Sequence, residues 1–410
     1  MNTNSKKIVV IGGGAAGIFA AINTLRLNKN ASCTVYESTS RLLTKVLISG
    51  GGRCNITHNC YDSQLFAKNY PRGHKQLLSA FSKFQAKDTL NWFHKEGVET
   101  SAEKDGRIFP KSNKSKTISE TLLSAADRAG VVIKKNLKVQ EINKVSGKFI
   151  LTLKDSTEVI ADKILIATGS NPKGYEFCQR LGHKIIPPVP SLFTFKIQDD
   201  FIKDLAGQSS EDVTVELNFP PNIDKKTYRQ KGPLLITHWG ISGPAVLKLS
   251  AFAAIALFNS NYKAQVKINW LGERKYNSIF NQLIEFREKN KDKKITVPPD
   301  LNISKRLWSR FVQSFDLLTW QHLTKKNINQ IVQQLCQQKL TVCGKGIFKE
   351  EFVTCGGVDL EEVNFKKMES KIVSNLFFAG EVLNIDGITG GFNFQNAWTT
   401  SWIASQHMAE

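Results

Sequence analysis

Four apolar β-branched residues, Ile8-Val9-Val10-Ile11, run directly into Gly12-Gly13-Gly14-Ala15-Ala16-Gly17. Such a run predicts a strand buried on both faces, the signature of a parallel sheet. Gly12, Gly14 and Gly17 stand at the spacing G-x-G-x-x-G. Gly12 permits the tight turn out of the strand, Gly14 lets backbone approach phosphate oxygens, and Gly17 lets the next helix pack against the strand. That helix is predicted from Ala15 to about Leu27, so Ala15 and Ala16 offer first-turn N–H groups to a pyrophosphate. A second strand, Cys33 to Tyr36, ends on Glu37, twenty residues after Gly17. An acid there accepts hydrogen bonds from ribose hydroxyls and disfavours a 2′-phosphate. A ligand-free glycine turn would not need strand, glycines, helix, second strand and acid in this order. The motif by itself does not separate one dinucleotide from another.

A chain of 410 residues has room for two or three domains. The longest nearly apolar run, Ala245 to Phe258, contains Lys248 and is too short to span a bilayer. The N-terminus passes directly into the first strand, without signal-peptide texture. Seven cysteines without a C-x-x-C fit a reducing cytoplasm, with neither a disulfide framework nor a structural metal. Net charge is +20, and between Phe258 and Lys345 sixteen Lys/Arg face six Asp/Glu. That excess favours polyanions through counterion release; a lysine-rich solvated surface is the plainer explanation.

The pattern predicts helix over 61–130, with Thr117 to Ala129 as a surface helix. Strands follow at 131–133, 137–139 and 149–153. Lys163 to Ile166 reads as a buried strand running into Ala167-Thr168-Gly169. Pro187, Pro188 and Pro190 read as a linker. Sheet texture over 191–270 gives way to helices at 273–290, 304–322 and 325–339. Sheet texture returns at Gly356-Gly357-Val358 and Leu376 to Ala379, before a final helix from about Gln395. The expected fold is α/β: a Rossmann-type cofactor domain from 1–188 and 346–410. Between these parts lies an inserted mixed β/α domain over 189–345, strand-rich at 191–270 and helical and basic at 273–340. By analogy such an insertion supplies the substrate site.

The segment Leu47-Ile48-Ser49-Gly50-Gly51-Gly52-Arg53-Cys54-Asn55-Ile56-Thr57 is the most specific in the chain. Further signals are Gly106 to Pro110, Leu235 to Ala245, Gly356 to Val358, Phe378-Ala379-Gly380-Glu381 and Asp386 to Gly391. Together with the N-terminal glycines, these resemble the BaiN/RdsA family of FAD-dependent oxidoreductases (YhiN-like flavoproteins), collinearly over nearly the whole chain. Ser170 and Trp239 depart from the usual family pattern of Gly and a basic residue. The resemblance implies FAD, with cofactor contacts at Gly12, Gly14, Ala15, Ala16, Gly17, Glu37, Ser49, Gly51, Gly52, Arg53, Asn55, Val139, Thr168, Gly169, Gly380, Glu381, Gly390, Gly391 and Phe392. The glycines of Ser49 to Asn55 permit positive φ and a nest of N–H groups. Gly390, Gly391 and the start of the last helix offer positive potential to a reduced flavin.

Cys54 can donate a proton beside the flavin or can be a small packing residue. Cys355 is a weaker rival. His238 can bind substrate or donate a proton, and His58 lies close after Cys54; a lone histidine is more often a satisfied core residue. No second G-x-G-x-x-G and no redox cysteine pair are present, which favours NADPH or NADH visiting as a transient reductant. The family implies reduction of a carbonyl-conjugated C=C bond. Its substrates are a steroid-like acid or a uridine of 23S ribosomal RNA, the latter giving dihydrouridine. RNA needs a wide basic surface, for which Arg274, Lys275, Lys305, Arg306, Arg310, Lys325 and Lys326 are candidates. Trp239, Trp270, Trp308 and Trp320 are either base-stacking or core residues. A non-enzymatic FAD-holding module that binds RNA or another partner is the remaining alternative. Oligomeric state leaves no trace in the sequence.

Overall fold

A computed structural model describes residues 5–346 and 353–410. The expected return to the cofactor domain just after 346 falls on residues 347–352, outside the described residues. The chain forms two compact units, one from residues up to Pro188 and from Thr354 onward, the other Val189–Val353.

The first unit is built on a seven-stranded sheet. Its order is Val363–Asn364, Glu369–Ser370, Leu376–Phe378, Lys163–Ile166, Lys7–Ile11, Ser32–Tyr36, Val132–Lys134. The five strands from Leu376–Phe378 to Val132–Lys134 are parallel. The strand order reverses at Lys7–Ile11, since the chain first continues to one side and later returns to the other. A crevice opens at the carboxyl end of such a strand, and the glycine turn lies there. Val10, Ile164, Leu165, Leu376 and Phe378 have no exposed surface, as expected for strands covered on both faces. Helices Ala15–Leu27 and Phe392–Met408 pack on one another through Phe19 and Trp398, ring centroids 5.2 Å apart.

The second unit is a closed six-stranded barrel, in the order Phe195–Ile197, Gly240–Ser242, Tyr228–Thr237, Ser209–Asn218, Ala264–Asn269, Gln338–Lys345. Val213, Val215 and Leu217 alternate inward to meet Leu234, Ile236, Val266, Ile268 and Val342. Helices Tyr276–Lys289, Lys305–Phe311 and Lys325–Gln337 extend the same core through Ile279, Trp308 and Ile331.

Four local expectations change. The three prolines lie in a strand, Ile185–Ser191, which among the described residues pairs with Val353–Val358 alone; an edge tolerates the missing N–H. The helix expected over 304–322 stops at Phe311. Ile295 N–H donates to Leu318 O and Trp320 N–H to Lys293 O, which draws that segment out of helical register. Within 61–130 the strands Thr100–Ala102 and Arg107–Pro110 interrupt the helices; they pair with one another, and Arg107–Pro110 pairs on its other side with Thr57–His58. The strand expected at 137–139 begins at Val139 and continues to Val145.

Candidate functional site: a glycine-lined dinucleotide cradle

The three motif glycines have different surroundings. A methyl on Gly12 would stand 2.4 Å from Ala167 O, and one on Gly17 would stand 2.0 Å from Gly12 O. Both are fixed by close backbone packing. Gly14 has no atom of the described residues within 4 Å of that position, so open space lies over the helix start. The helix Ala15–Leu27 has no side-chain cap and no acid in its first turn. Its leading N–H groups are free to receive an anion.

Glu37 follows the second strand. One carboxylate oxygen accepts from Gly13 N–H (2.9 Å), the other from Thr39 N–H (2.8 Å) and Thr39 Oγ1 (2.9 Å). Backbone bonds from Leu137 N–H to Glu37 O and Asn136 N–H to Thr39 O stitch the neighbouring loop alongside. Val139 lies just beyond, buried and paired with Leu153.

The segment after Leu43 is a helix, Thr44–Gly52, broken at Ser49, with Gly50, Gly51 and Gly52 at φ 57°, 66° and 79°. Gly51 and Gly52 face open space. Ser49 Oγ donates to Val46 O, and Asn55 Oδ1 accepts from Ile108 N–H. Arg53 pairs with Glu103 at 2.7 Å and lies 3.9 Å over the Phe109 ring, so its charge is already engaged. Cys54 adopts φ 61° and is fully buried; desolvation pushes its thiol up to about 12. Cys355 is buried too.

Distant segments complete the cradle. Gly380 N–H donates to Thr400 Oγ1. Glu381 accepts from Thr354 N–H at 3.1 Å and pairs with Lys45, which also reaches Ser170 Oγ at 3.4 Å. A methyl on Gly169 would meet Glu381. Thr168 Oγ1 is buried without a hydrogen-bond partner among the described residues. Asp386 is fully buried against Arg72. Gly390 and Gly391 have φ 129° and 90°, and a methyl on Gly391 would stand 2.6 Å from Thr57 backbone. Gly390 O lies 3.1 Å from His58 Nδ1, and the His58 ring stacks on buried Phe392 at 4.8 Å. Helix Phe392–Met408 starts at Gly391 with no side-chain cap. Lys45, Arg72 and Asp386 escaped the sequence reading as site residues. Their partners lie more than three hundred residues away, at no fixed spacing.

In the second unit, His238 and Trp239 form an exposed tip between strands Tyr228–Thr237 and Gly240–Ser242. His238 is therefore not a core histidine. Trp270, Trp308 and Trp320 are core, at most 1% exposed, and cannot stack on bases. Arg310 donates to Asp200 O and Lys203 O, both at 2.6 Å, and Arg306 donates to Asp204 O. Both hold their own unit's loop. Arg274, Lys275, Lys305, Lys325 and Lys326 are exposed.

A parallel sheet with an uncapped glycine turn at its reversal point, an acid on the next strand and a returning C-terminal segment defines a Rossmann-type dinucleotide-binding protein. Residues 6–407 match the family model described as HI0933-like protein Rossmann domain, and the chain belongs to that family. It is 29% identical to the ribosomal RNA dihydrouridine synthase of Haemophilus influenzae, over 97% of each chain. It is 28% identical to the 3-dehydro-bile acid delta(4,6)-reductase of Clostridium scindens, over 98% of this chain and 99% of that one. The fold is shared with a flavocytochrome c3 fumarate reductase (TM-score 0.52, 13% identity, 99% of this chain and 78% of that one). It is also shared with 3-ketosteroid delta1-dehydrogenase from Sterolibacterium denitrificans (TM-score 0.52, 10% identity, 99% and 100%). The protein is an FAD-dependent oxidoreductase. Its residues fit that cofactor: the space over Gly14, Gly51 and Gly52 is open, two helix starts are uncapped, and Thr168 carries an orphaned hydroxyl. No described helix is long and apolar enough to cross a membrane, and no group of metal-ligating side chains occurs among the described residues.

Proposed function

We propose that the protein takes hydride from NADPH or NADH and reduces the C5=C6 bond of a uridine in cytoplasmic 23S ribosomal RNA to dihydrouridine. Bound FAD supplies the hydride chemistry. Gly12, Gly14, Ala15, Ala16 and Gly17 hold its pyrophosphate, and Glu37 its adenosine ribose, with Val139 beside it. Ser49, Gly51, Gly52, Arg53 and Asn55 wrap its length together with Thr168, Gly169, Gly380 and Glu381. Gly390, Gly391 and Phe392 begin the last helix, whose positive end favours negative charge nearby. The chain offers two proton sources for the second carbon. Cys54 is kept a neutral thiol by burial, and His238 is an exposed imidazole.

The observation that carries the RNA substrate is the basic excess of the second unit. Lys275, Lys305, Lys325 and Lys326 are solvent-facing there, with no salt-bridge partner among the described residues. A bile-acid-sized substrate needs one or two such charges and a large apolar pocket. The experiment is gene deletion followed by mass spectrometry of ribosomal RNA nucleosides. One dihydrouridine should vanish and return with the wild-type gene. An unchanged profile, with turnover of a small enone by the purified enzyme, would move the assignment to the small-molecule reading that the Clostridium relative supports. Failure of the flavin to oxidise either nicotinamide with any acceptor would support the non-enzymatic module. Cys54→Ala and His238→Ala separate the two acids: loss of dihydrouridine formation with nicotinamide oxidation retained identifies the donor.

A further inference from the structure

The outer wall of the barrel contains a polar cleft of about 210 Å³. Strand Ser209–Asn218 turns Val213, Val215 and Leu217 into the barrel, so Thr214 and Glu216 face outward. The strand register places Glu216 opposite Arg229 on one neighbour and opposite Lys267 on the other. One row thus carries cation, acid and cation across three strands. Arg274 and Tyr276 border the cleft where the barrel passes into helix Tyr276–Lys289.

The charges do not cancel. Lys267 pairs with Glu216 at 3.2 Å, and Arg229 meets Glu273 only at 3.8 Å. Arg274 bonds to the neutral side chain of Gln282 and has no carboxylate partner among the described residues. The lining therefore carries three cations and one carboxylate. Thr214 is 5% exposed, lines this cleft, and its buried hydroxyl has no hydrogen-bond partner among the described residues. A buried hydroxyl left unbonded is costly, and an oxyanion in the cleft would accept a hydrogen bond from it while meeting the guanidinium of Arg274.

We infer that this cleft binds a phosphate group of the RNA backbone, held by Arg274, Arg229 and Thr214, and so positions the substrate on the second unit. The inference rests on the RNA reading above. Phosphate contacts fix register without reading sequence, which suits an enzyme whose specificity lies at one nucleotide.

The test uses flavin-loaded full-length protein and an unmodified transcript of large-subunit ribosomal RNA, titrated by fluorescence anisotropy across a salt series. Arg274→Gln and Thr214→Val are compared with wild type after their flavin content and melting midpoints match it. Arg274→Gln should weaken binding roughly tenfold and reduce the slope of log K against log salt by about one. Thr214→Val should weaken binding severalfold with the slope unchanged. Wild-type binding with both variants indistinguishable from it would overturn the cleft and leave the proposed function standing. Should wild type bind no RNA, the substrate reading fails, and inorganic phosphate decides the cleft. Saturable thermal stabilisation by phosphate that disappears in Arg274→Gln keeps the anion site with a free phosphate compound as its source. No phosphate effect overturns it.

Discussion

Gly14→Ala separates a glycine kept for the chain from one kept for the ligand. Gly14 has φ −83° and ψ −173°, which alanine adopts freely, and no atom of the described residues lies within 4 Å of the added carbon. The flavin-free protein should therefore keep its unfolding free energy within about 0.5 kcal/mol of wild type. In the holoprotein the same methyl enters the space assigned to the pyrophosphate. It holds the phosphates off the first-turn N–H groups. Two charge-assisted hydrogen bonds at ~1.5–3 kcal/mol each are then lost, about 3–6 kcal/mol in all. FAD affinity should fall by about 10² to 10⁴. Absorbance gives the flavin-to-protein ratio of the purified variant, calorimetric titration of stripped protein gives the affinity, and urea melts of stripped protein give the stability. Stoichiometric FAD at wild-type affinity would refute the placement of the pyrophosphate over Gly14. Gly17→Ala is the contrast: its methyl would stand 2.0 Å from a backbone oxygen, so folding itself should suffer.

Trp308→Ala should cost about 3–5 kcal/mol, because the indole is fully buried and its Nε1 donates to Ile295 O at 2.8 Å; an RNA-stacking role would instead leave the denaturant midpoint intact. Arg72→Met leaves the fully buried Asp386 carboxylate without its guanidinium and should destabilise by about 3–5 kcal/mol, read from chemical melts. Burial raises the thiols of Cys33, Cys54 and Cys178 from 9.0 to about 12. Unfolded thiols ionise first, so this contribution to stability is complete below pH 9 and declines from pH 9 toward 12. Denaturation midpoints should fall across that window, and a triple Cys→Ala variant should flatten the fall.

The nucleotide sheet was legible because its signals are local. Ile8 to Gly17 encodes strand, turn and helix within ten residues, and Glu37 marks the next strand end. What escaped the sequence depends on contacts between remote segments. Nothing near Pro187 reveals that its strand pairs with the distant Val353–Val358. The break after Phe311 comes from backbone bonds to Lys293 and Ile295, not from its own propensity. Arg306 and Arg310 look like nucleic-acid residues until the carbonyls of Asp200, Lys203 and Asp204 are seen to occupy them. Lys45 and Glu381 are joined only by the fold.

The pairing of Ile166 with Phe378 has a consequence for biosynthesis. About 210 residues must be translated between these partners, a delay of about 10–40 s at ordinary elongation rates. Throughout that time the strand Lys163–Ile166 has one flank unprotected, an apolar template open to promiscuous association. The whole intervening barrel has emerged from the ribosome before that flank is covered. A nascent polypeptide of this kind should lean on holdase chaperones and acquire its yellow colour only after release.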